Sequence, residues 1–347
     1  MTADAVGGVL TYALELVEGL AEHDVEVVLA VSGPAPTAAD RRRLRAAPLA
    51  GYHRRELALE WMENPAQDLE RSRVWLRELA DATAADVLHL NSYAAAALPV
   101  DVPKLVVGHS CVLSWHEAVR RRPAGPDWRA YAARVRRGLG GADVLVAPTR
   151  ALLGELVRLY RPACPCEVIP NGIADPFAES RPKEPFVLAA GRAWDEAKNL
   201  KALERVAGLL PWPALVAGAG GSLGRVAHER LRELYARAAV FAAPARYEPF
   251  GLAALEAGLA RCALVLGDVP SLREVWGGAA LYVDPFDDDD VARGLQRLIA
   301  DESLRNRLAA AARRRALRYS RERMAGAYLD LYERLIAAAV APTREVA

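Results

Sequence analysis

Residues 240–256 read Val240-Phe241-Ala242-Ala243-Pro244-Ala245-Arg246-Tyr247-Glu248-Pro249-Phe250-Gly251-Leu252-Ala253-Ala254-Leu255-Glu256. An apolar run of strand length, Val240–Ala243, leads through a Pro-Phe-Gly turn into a helical pattern over Gly251–Ala260. Glu248 stands just before that helix, and Glu256 lies about two turns inside it. The first N–H groups of a helix have no intrahelical partners, so those of Phe250, Gly251 and Leu252 point at whatever approaches. Together with the helix dipole they make an anion site. Dipole compensation explains Glu248 alone. It does not explain a second glutamate inside the otherwise apolar stretch Gly251–Leu259.

The same alternation recurs on both sides. Strands are predicted near Val25–Val31, Val87–Asn91, Lys104–Gly108, Val144–Pro148, Glu167–Pro170, Phe186–Ala190, Ala214–Ala217, Ala263–Leu266 and Ala280–Val283. Helical patterns such as Thr11–His23 and Arg150–Tyr160 separate them. Uniformly apolar, Val- and Leu-rich runs suit parallel strands covered on both faces, and the alternation predicts right-handed βαβ units. The fold class is therefore α/β, with two Rossmann-like parallel-sheet domains.

The stretch Asp175–Pro185 carries three prolines among charges and gives way to a fresh strand, which is linker composition. The expected organisation is a first domain over 1–175, a linker over 176–185, a second domain over 186–325, and a C-terminal helix and tail over 326–347. The helical pattern Arg321–Ala339 has no strand after it and is free to pack back across either domain, the first among them. Gly7-Gly8 and the first helix arrive unusually early. Either the first strand is very short (Met1–Ala5) or the start lies too far downstream; the second is favoured, which would leave an interior strand missing.

At 347 residues the chain has the length of about two domains. Lys plus Arg is 45 against 44 for Asp plus Glu, and a net charge of +1 argues against a general nucleic-acid binder. Only Lys104, Lys183, Lys198 and Lys201 are lysines; the remaining basic residues are arginine. No apolar run is long enough to span a bilayer and no basic-then-apolar leader opens the chain, so a cytoplasmic protein is expected. Cys111, Cys164, Cys166 and Cys262 form no disulfide framework, and Cys164-Pro165-Cys166 is expected to be reduced rather than a metal or redox pair.

A second constellation, Gly191-Arg192-Ala193-Trp194-Asp195-Glu196-Ala197-Lys198-Asn199, directly follows the first strand of the second domain. Sites in open parallel sheets lie beyond the carboxyl ends of strands. Arg192, as a bidentate fork, and Lys198, as a point charge, stand there to neutralise a pyrophosphate. Gly7 and Gly8 precede the first helix, where absent side chains let a ligand reach the backbone. His109 ends the strand Lys104–Gly108 and is poised for polar contact with a substrate. Gly218–Gly224 imitates a dinucleotide fingerprint with the wrong spacing and no acid on the next strand. Asp287–Asp290 reads as helix capping before Val291–Ala300, not as a metal site. Glu117–Arg137 holds seven arginines against Glu117 and Asp127, a net +5. It reads as a solvated face, with a peripheral contact to an anionic membrane as the minority alternative.

Together these stretches resemble the family-4 retaining glycosyltransferases of the GT-B fold. The resemblance covers nearly the whole chain and also takes in Pro170-Asn171-Gly172-Ile173, Asp268–Val275 and Ala280–Pro285. It implies two domains facing a central cleft, a nucleoside-diphosphate sugar held mainly by the second domain, and a hydroxyl acceptor (glycan, lipid or metabolite) on the first. Carried over, Arg192 and Lys198 would bind the diphosphate, Glu256 the ribose hydroxyls and Glu248 the hydroxyls of the transferred sugar. Backbone groups at Phe250, Gly251 and Leu252 would contact sugar and phosphate. Gly7 and Gly8 would admit the diphosphate, and His109 would sit by the reacting carbon. No metal and no further cofactor are implied, and a UDP-sugar is the favoured donor.

Two departures stand out: Arg261-Cys262-Ala263 replaces the family's Gly-x-Pro, and Gly218–Ala239 is shorter than usual, as if a strand or helix near the base pocket were lost. Competing readings are a sugar phosphorylase, a nicotinamide-dependent oxidoreductase resting on Gly218–Gly224, and a non-catalytic nucleotide-binding homologue.

Overall fold

The computed structural model describes residues 1–179 and 181–340 of the chain; Ser180 of the expected linker and residues 341–347 of the expected tail lie outside the described residues. Two compact units result. Of the described residues, the first comprises Met1–Ser114, Ala124–Ile173 and 321–340; the second comprises Trp115–Pro123, 174–179 and 181–320.

The first unit contains β1 (Thr2–Asp4), β2 (Val28–Ser32), β3 (Gly51–Arg54), β4 (Leu88–Leu90), β5 (Lys104–Val107), β6 (Val144–Ala147) and β7 (Cys166–Val168). They form a three-stranded sheet, β1-β2-β3, and a four-stranded sheet, β4-β5-β6-β7, with every pairing parallel. Asn91 stitches the two at β1: its N–H donates to Thr2 Oγ1 at 2.8 Å and its Nδ2 to the Thr2 carbonyl at 2.6 Å. The first strand is present in its short form, pairing Thr2 with Ala30, while the Met1 ammonium donates to the Val28 carbonyl at 2.8 Å. The favoured expectation of a missing interior strand is thereby corrected. β3 escapes the sequence pattern because it is an edge strand whose Tyr52, His53 and Arg54 face outward, leaving no apolar run to read.

The C-terminal helix runs Arg321–Val340 and belongs to the first unit from its first residue, so the expected division at 326 moves to 321. The reason is packing against the helix Val9–Ala21. Gly19 there faces Ala325 so closely that a Cβ would stand 2.7 Å from the alanine methyl. Arg321 binds Glu15 and Glu18 of the same helix at 2.8 and 2.5 Å. A cavity of about 530 Å³ opens among the starts of β2 and β4, lined by Val28, Leu76, Leu79, Leu88 and Tyr332. It lies at the amino ends of the strands, the edge opposite to the one that parallel sheets use for ligands.

The second unit contains β8 (Glu184–Ala190), β9 (Ala214–Ala217), β10 (Ala238–Ala243), β11 (Ala263–Gly267) and β12 (Leu281–Val283) in the parallel order β12-β11-β10-β8-β9. All five residues of β11 are buried, as a strand covered by helices on both faces requires. From β9 the chain returns through one helix, His228–Arg237, directly to β10, so no strand lies between them among the described residues and β9 stays at the sheet edge.

Lys183 ties this unit together. Its Nζ donates to the carbonyls of Tyr235, Ala236 and Ala260 at 3.1, 2.9 and 2.5 Å, at the ends of the helices His228–Arg237 and Leu252–Leu259. At the departure from Gly-x-Pro the turn survives: Arg261 adopts φ +63°, and its guanidinium donates to the Phe177 carbonyl at 2.9 Å. That bond offsets part of the left-handed strain, which costs a non-glycine residue about 1 kcal/mol.

The basic stretch Glu117–Arg137 is divided between the two units, residues up to Pro123 belonging to the second and those from Ala124 to the first. Several of its arginines are engaged internally. Arg120 pairs with Glu196 at 2.8 Å, Arg121 stacks on Phe286 at 5.3 Å, and Arg134 donates to the Glu60 carbonyl at 3.2 Å. Among the described residues no helix is long and apolar enough to cross a membrane.

Candidate active site

In the second unit the loops leaving the carboxyl ends of β8 and β10 carry the sequence-derived residues. β8 ends at Ala190, and Gly191, at φ +153°, turns the chain across the end of β9. Its N–H donates to the Ala217 carbonyl at 2.9 Å. Gly218 lies so near that a Cβ there would come within 1.7 Å of the Gly191 carbonyl oxygen. Arg192 donates to Asp195 at 2.6 Å and lies 5.5 Å from the centre of the Trp194 ring. Asp195 also accepts from the N–H of Ala197 at 3.0 Å, tightening the loop that delivers Lys198. Lys198 forms an ion pair with Glu248, bringing the two constellations into contact.

Asn199 secures this meeting. Buried and at φ +51°, it donates from Nδ2 to the carbonyls of Pro244 and Pro285 at 3.0 and 2.7 Å, joining three loops at the sheet edge. Sequence reasoning gave it no role. Ser271 adds a second tie, donating to the Glu248 carbonyl at 2.5 Å. The helix Leu252–Leu259 begins at Gly251, whose φ of +92° favours glycine, and no side chain caps it. The Phe250 side chain is buried edge-on to Tyr319 at 5.4 Å, so only its backbone is available to a ligand. Glu256 lies along this helix beside Tyr235, whose hydroxyl is pushed well above its ordinary pKa by burial and by the neighbouring carboxylate.

In the first unit Gly7 and Gly8 are exposed between β1 and the helix Val9–Ala21, again without a side-chain cap. His109, just beyond β5, lies with Nε2 2.6 Å from Asn91 Oδ1 and its ring edge-on to Tyr12 at 4.5 Å. Burial holds its pKa down to about 3. Beneath it His89 is fully enclosed, with Nε2 3.1 Å from the Tyr12 hydroxyl and Nδ1 2.6 Å from that of Tyr332. Burial, then the Met1 ammonium and His109, lowers its pKa well below 6.5.

Both imidazoles are thus neutral when folded and take up a proton near pH 6.5 when unfolded, so stability falls as pH drops below that value. Each proton is worth at most about 1.4 kcal/mol per pH unit. The expected loss between pH 7 and pH 5 is about 2 kcal/mol for His89 alone. Urea midpoints at the two pH values check this, and His89→Gln should flatten the dependence.

Two other sequence features resolve structurally. The Gly218–Gly224 loop spends its amides on itself, with Gly218, Gly221 and Gly224 donating to Gly224, Gly218 and Gly221 at 2.8, 3.0 and 2.9 Å. The next helix starts only at His228, so the strand–turn–helix that a dinucleotide fingerprint needs is not formed. Asp287 caps its helix by accepting from Asp289 and Asp290, while Asp288 binds Arg205, so the acidic run is occupied as capping chemistry expects. Cys164 and Cys166 keep thiol pKa values raised by burial, which suits inert thiols.

Residues 6–175 match the profile of Glycosyltransferase Family 4, and residues 221–315 match that of Glycosyl transferases group 1. The chain belongs to the family-4-type glycosyltransferases. A D-inositol 3-phosphate glycosyltransferase of Xylanimonas cellulosilytica is 27% identical over 95% of this chain and 92% of its own length. The O-antigen chain mannosyltransferase B of Escherichia coli is 32% identical over 45% of this chain, and that match spans only 39% of the mannosyltransferase.

Among solved structures, the glycosyltransferase fold recurs in sucrose-phosphate synthase from Thermosynechococcus elongatus. The match has a TM-score of 0.75 at 21% identity and covers 94% of this chain and 93% of that one. Anabaena HepE in complex with UDP and glucose aligns with a TM-score of 0.72 at 13% identity, over 96% of this chain and all of that one. These likenesses establish the GT-B fold; at such identities they carry no substrate.

Proposed function

We propose that this glycosyltransferase moves a sugar from a nucleoside-diphosphate sugar, a UDP-sugar being favoured, to a hydroxyl acceptor with retention and without a bridging metal. The observation that carries the reading is the meeting of Lys198 with Glu248 at the carboxyl edge of β8 and β10, beside Arg192 and the uncapped helix Leu252–Leu259. The structural neighbour solved with UDP and glucose shares the fold of this chain, and its bound ligands are of the class that the reading assigns here.

Breaking the anomeric bond builds negative charge on the departing phosphate and positive charge on the sugar ring. Arg192, Lys198 and the backbone N–H groups of Phe250, Gly251 and Leu252 supply fixed positive charge for the first. Such cations can take the part that a bridging metal has elsewhere. Glu248 turns from Lys198 toward the hydroxyls of the sugar, and Glu256 takes the ribose. In the first unit the backbone at Gly7 and Gly8 is left open to a phosphate, and neutral His109 is assigned to the reacting centre as the family resemblance implies. Retention follows from attack on the face that the phosphate leaves, within an ion pair, so no nucleophile is assigned.

The test is a thermal-shift series with UDP, GDP, ADP and NAD, with and without EDTA, followed by nucleotide release from the matching sugar donor. A ligand at one hundred times its dissociation constant adds about 2.7 kcal/mol. A shift with one diphosphate that survives EDTA, and an axial-donor, axial-product anomeric signal by NMR, are expected. A shift with NAD alone, or inversion of the anomer, would refute the reading.

A further inference from the structure

Asn91 is held on both edges of its amide. Nδ2 donates to the Thr2 carbonyl at 2.6 Å, which turns Oδ1 the other way, to within 2.6 Å of His109 Nε2. The opposite amide orientation would set two acceptor oxygens against each other at Thr2. An acceptor oxygen at that distance calls for a hydrogen on Nε2, and a neutral imidazole carries only one. Nδ1 therefore keeps its lone pair. The segment is fixed in turn. The N–H of Asn91 donates to Thr2 Oγ1 at 2.8 Å, and the next three residues are gripped by buried Glu60, which accepts from Ser92 Oγ at 2.9 Å and the Ala94 N–H at 2.7 Å.

We propose that Asn91 is a positioning residue that locks His109 in the Nε2–H tautomer and so presents Nδ1 as a hydrogen-bond acceptor to a hydroxyl of the substrate. The inference rests on the assignment of His109 to the reacting centre made above. It specifies the chemistry at that point. The site selects a group that donates a hydrogen bond, so a deoxy or O-methyl substrate analogue at the contacted hydroxyl should lose most of its turnover.

The tautomer is read directly from histidine-selective ¹⁵N labelling and long-range ¹H–¹⁵N correlation, with His109→Gln identifying the signal among the six histidines. The expected spectrum has a pyrrole-type Nε2 and a pyridine-type Nδ1 at neutral pH. A hydrogen on Nδ1 would overturn the proposal without any variant of Asn91, so its outcome does not depend on whether a variant folds. Asn91→Leu, checked for an intact melting transition, should give a mixture of tautomers. It should also lower kcat about tenfold, the worth of one hydrogen bond, with the donor KM little changed. An unchanged tautomer and kcat in Asn91→Leu would also overturn it. The expected tautomer together with full turnover in His109→Gln would remove the role of His109 in transfer while leaving the action of Asn91 on the ring intact.

Discussion

Replacing Lys198 with alanine is expected to lower kcat for sugar transfer by about 10² to 10³. The side chain of Lys198 is 25% exposed and that of Glu248 13%, so the pair is largely withdrawn from water, and removing the ammonium also costs stability by leaving the carboxylate without its partner. Its electrostatic role is larger. Without the ammonium, the carboxylate of Glu248 stands uncompensated where the diphosphate must dock, so repulsion adds to the loss of a stabilising charge. The two residues are therefore coupled: adding Glu248→Gln to Lys198→Ala should restore part of the affinity for the nucleoside diphosphate while leaving turnover low. Calorimetric titration of the diphosphate and steady-state nucleotide release separate the two effects. Wild-type kcat in Lys198→Ala would sink the assignment of this edge as the donor site.

The second large effect is on stability. Gly218→Ala is expected to cost about 3 kcal/mol or more, because the added methyl would lie 1.7 Å from the Gly191 carbonyl oxygen on a backbone at φ +140°. Backbone faces backbone here, so no side chain can swing aside, and the loop that carries Arg192 must move with it. Gly224→Ala is the internal control. Its φ of +60° imposes left-handed strain, yet nothing stands within 4 Å of the new methyl, and a cost of about 1 kcal/mol is expected. Urea unfolding of the two variants compares them. Equal midpoints would mean that β8 and β9 do not approach as closely as the glycines require.

The strands of the second unit were legible because β10 and β11 are buried on both faces, and their apolar runs carry the signal at every position. The helix Arg150–Tyr160 was legible to the residue, since Thr149 caps it through the Leu152 N–H and an apolar stripe runs its length. β3 was not, because an edge strand exposed on most of its surface has no pattern that distinguishes it from a loop. The C-terminal helix was found, but its partner could only be expected, since contact with Val9–Ala21 spans some three hundred positions and depends on small residues such as Gly19 and Ala325.

The same division runs through the site. Glu248, Glu256, Arg192 and Lys198 could be selected from order along the chain, because they follow predicted strands and sites in open parallel sheets lie beyond the carboxyl ends of strands. Such local chemistry also defined the fold class and the family resemblance. Pairing was another matter. That Lys198 meets Glu248, that Asn199 joins the loops after β8, β10 and β12, and that Asn91 orients His109 from β4 all depend on parallel strands ending at a common edge. These polar residues look ordinary in one dimension, since a hydrogen bond is set by the distance between two atoms and leaves no periodicity in the chain. Burial makes each contact count, and only the assembled sheets provide that burial.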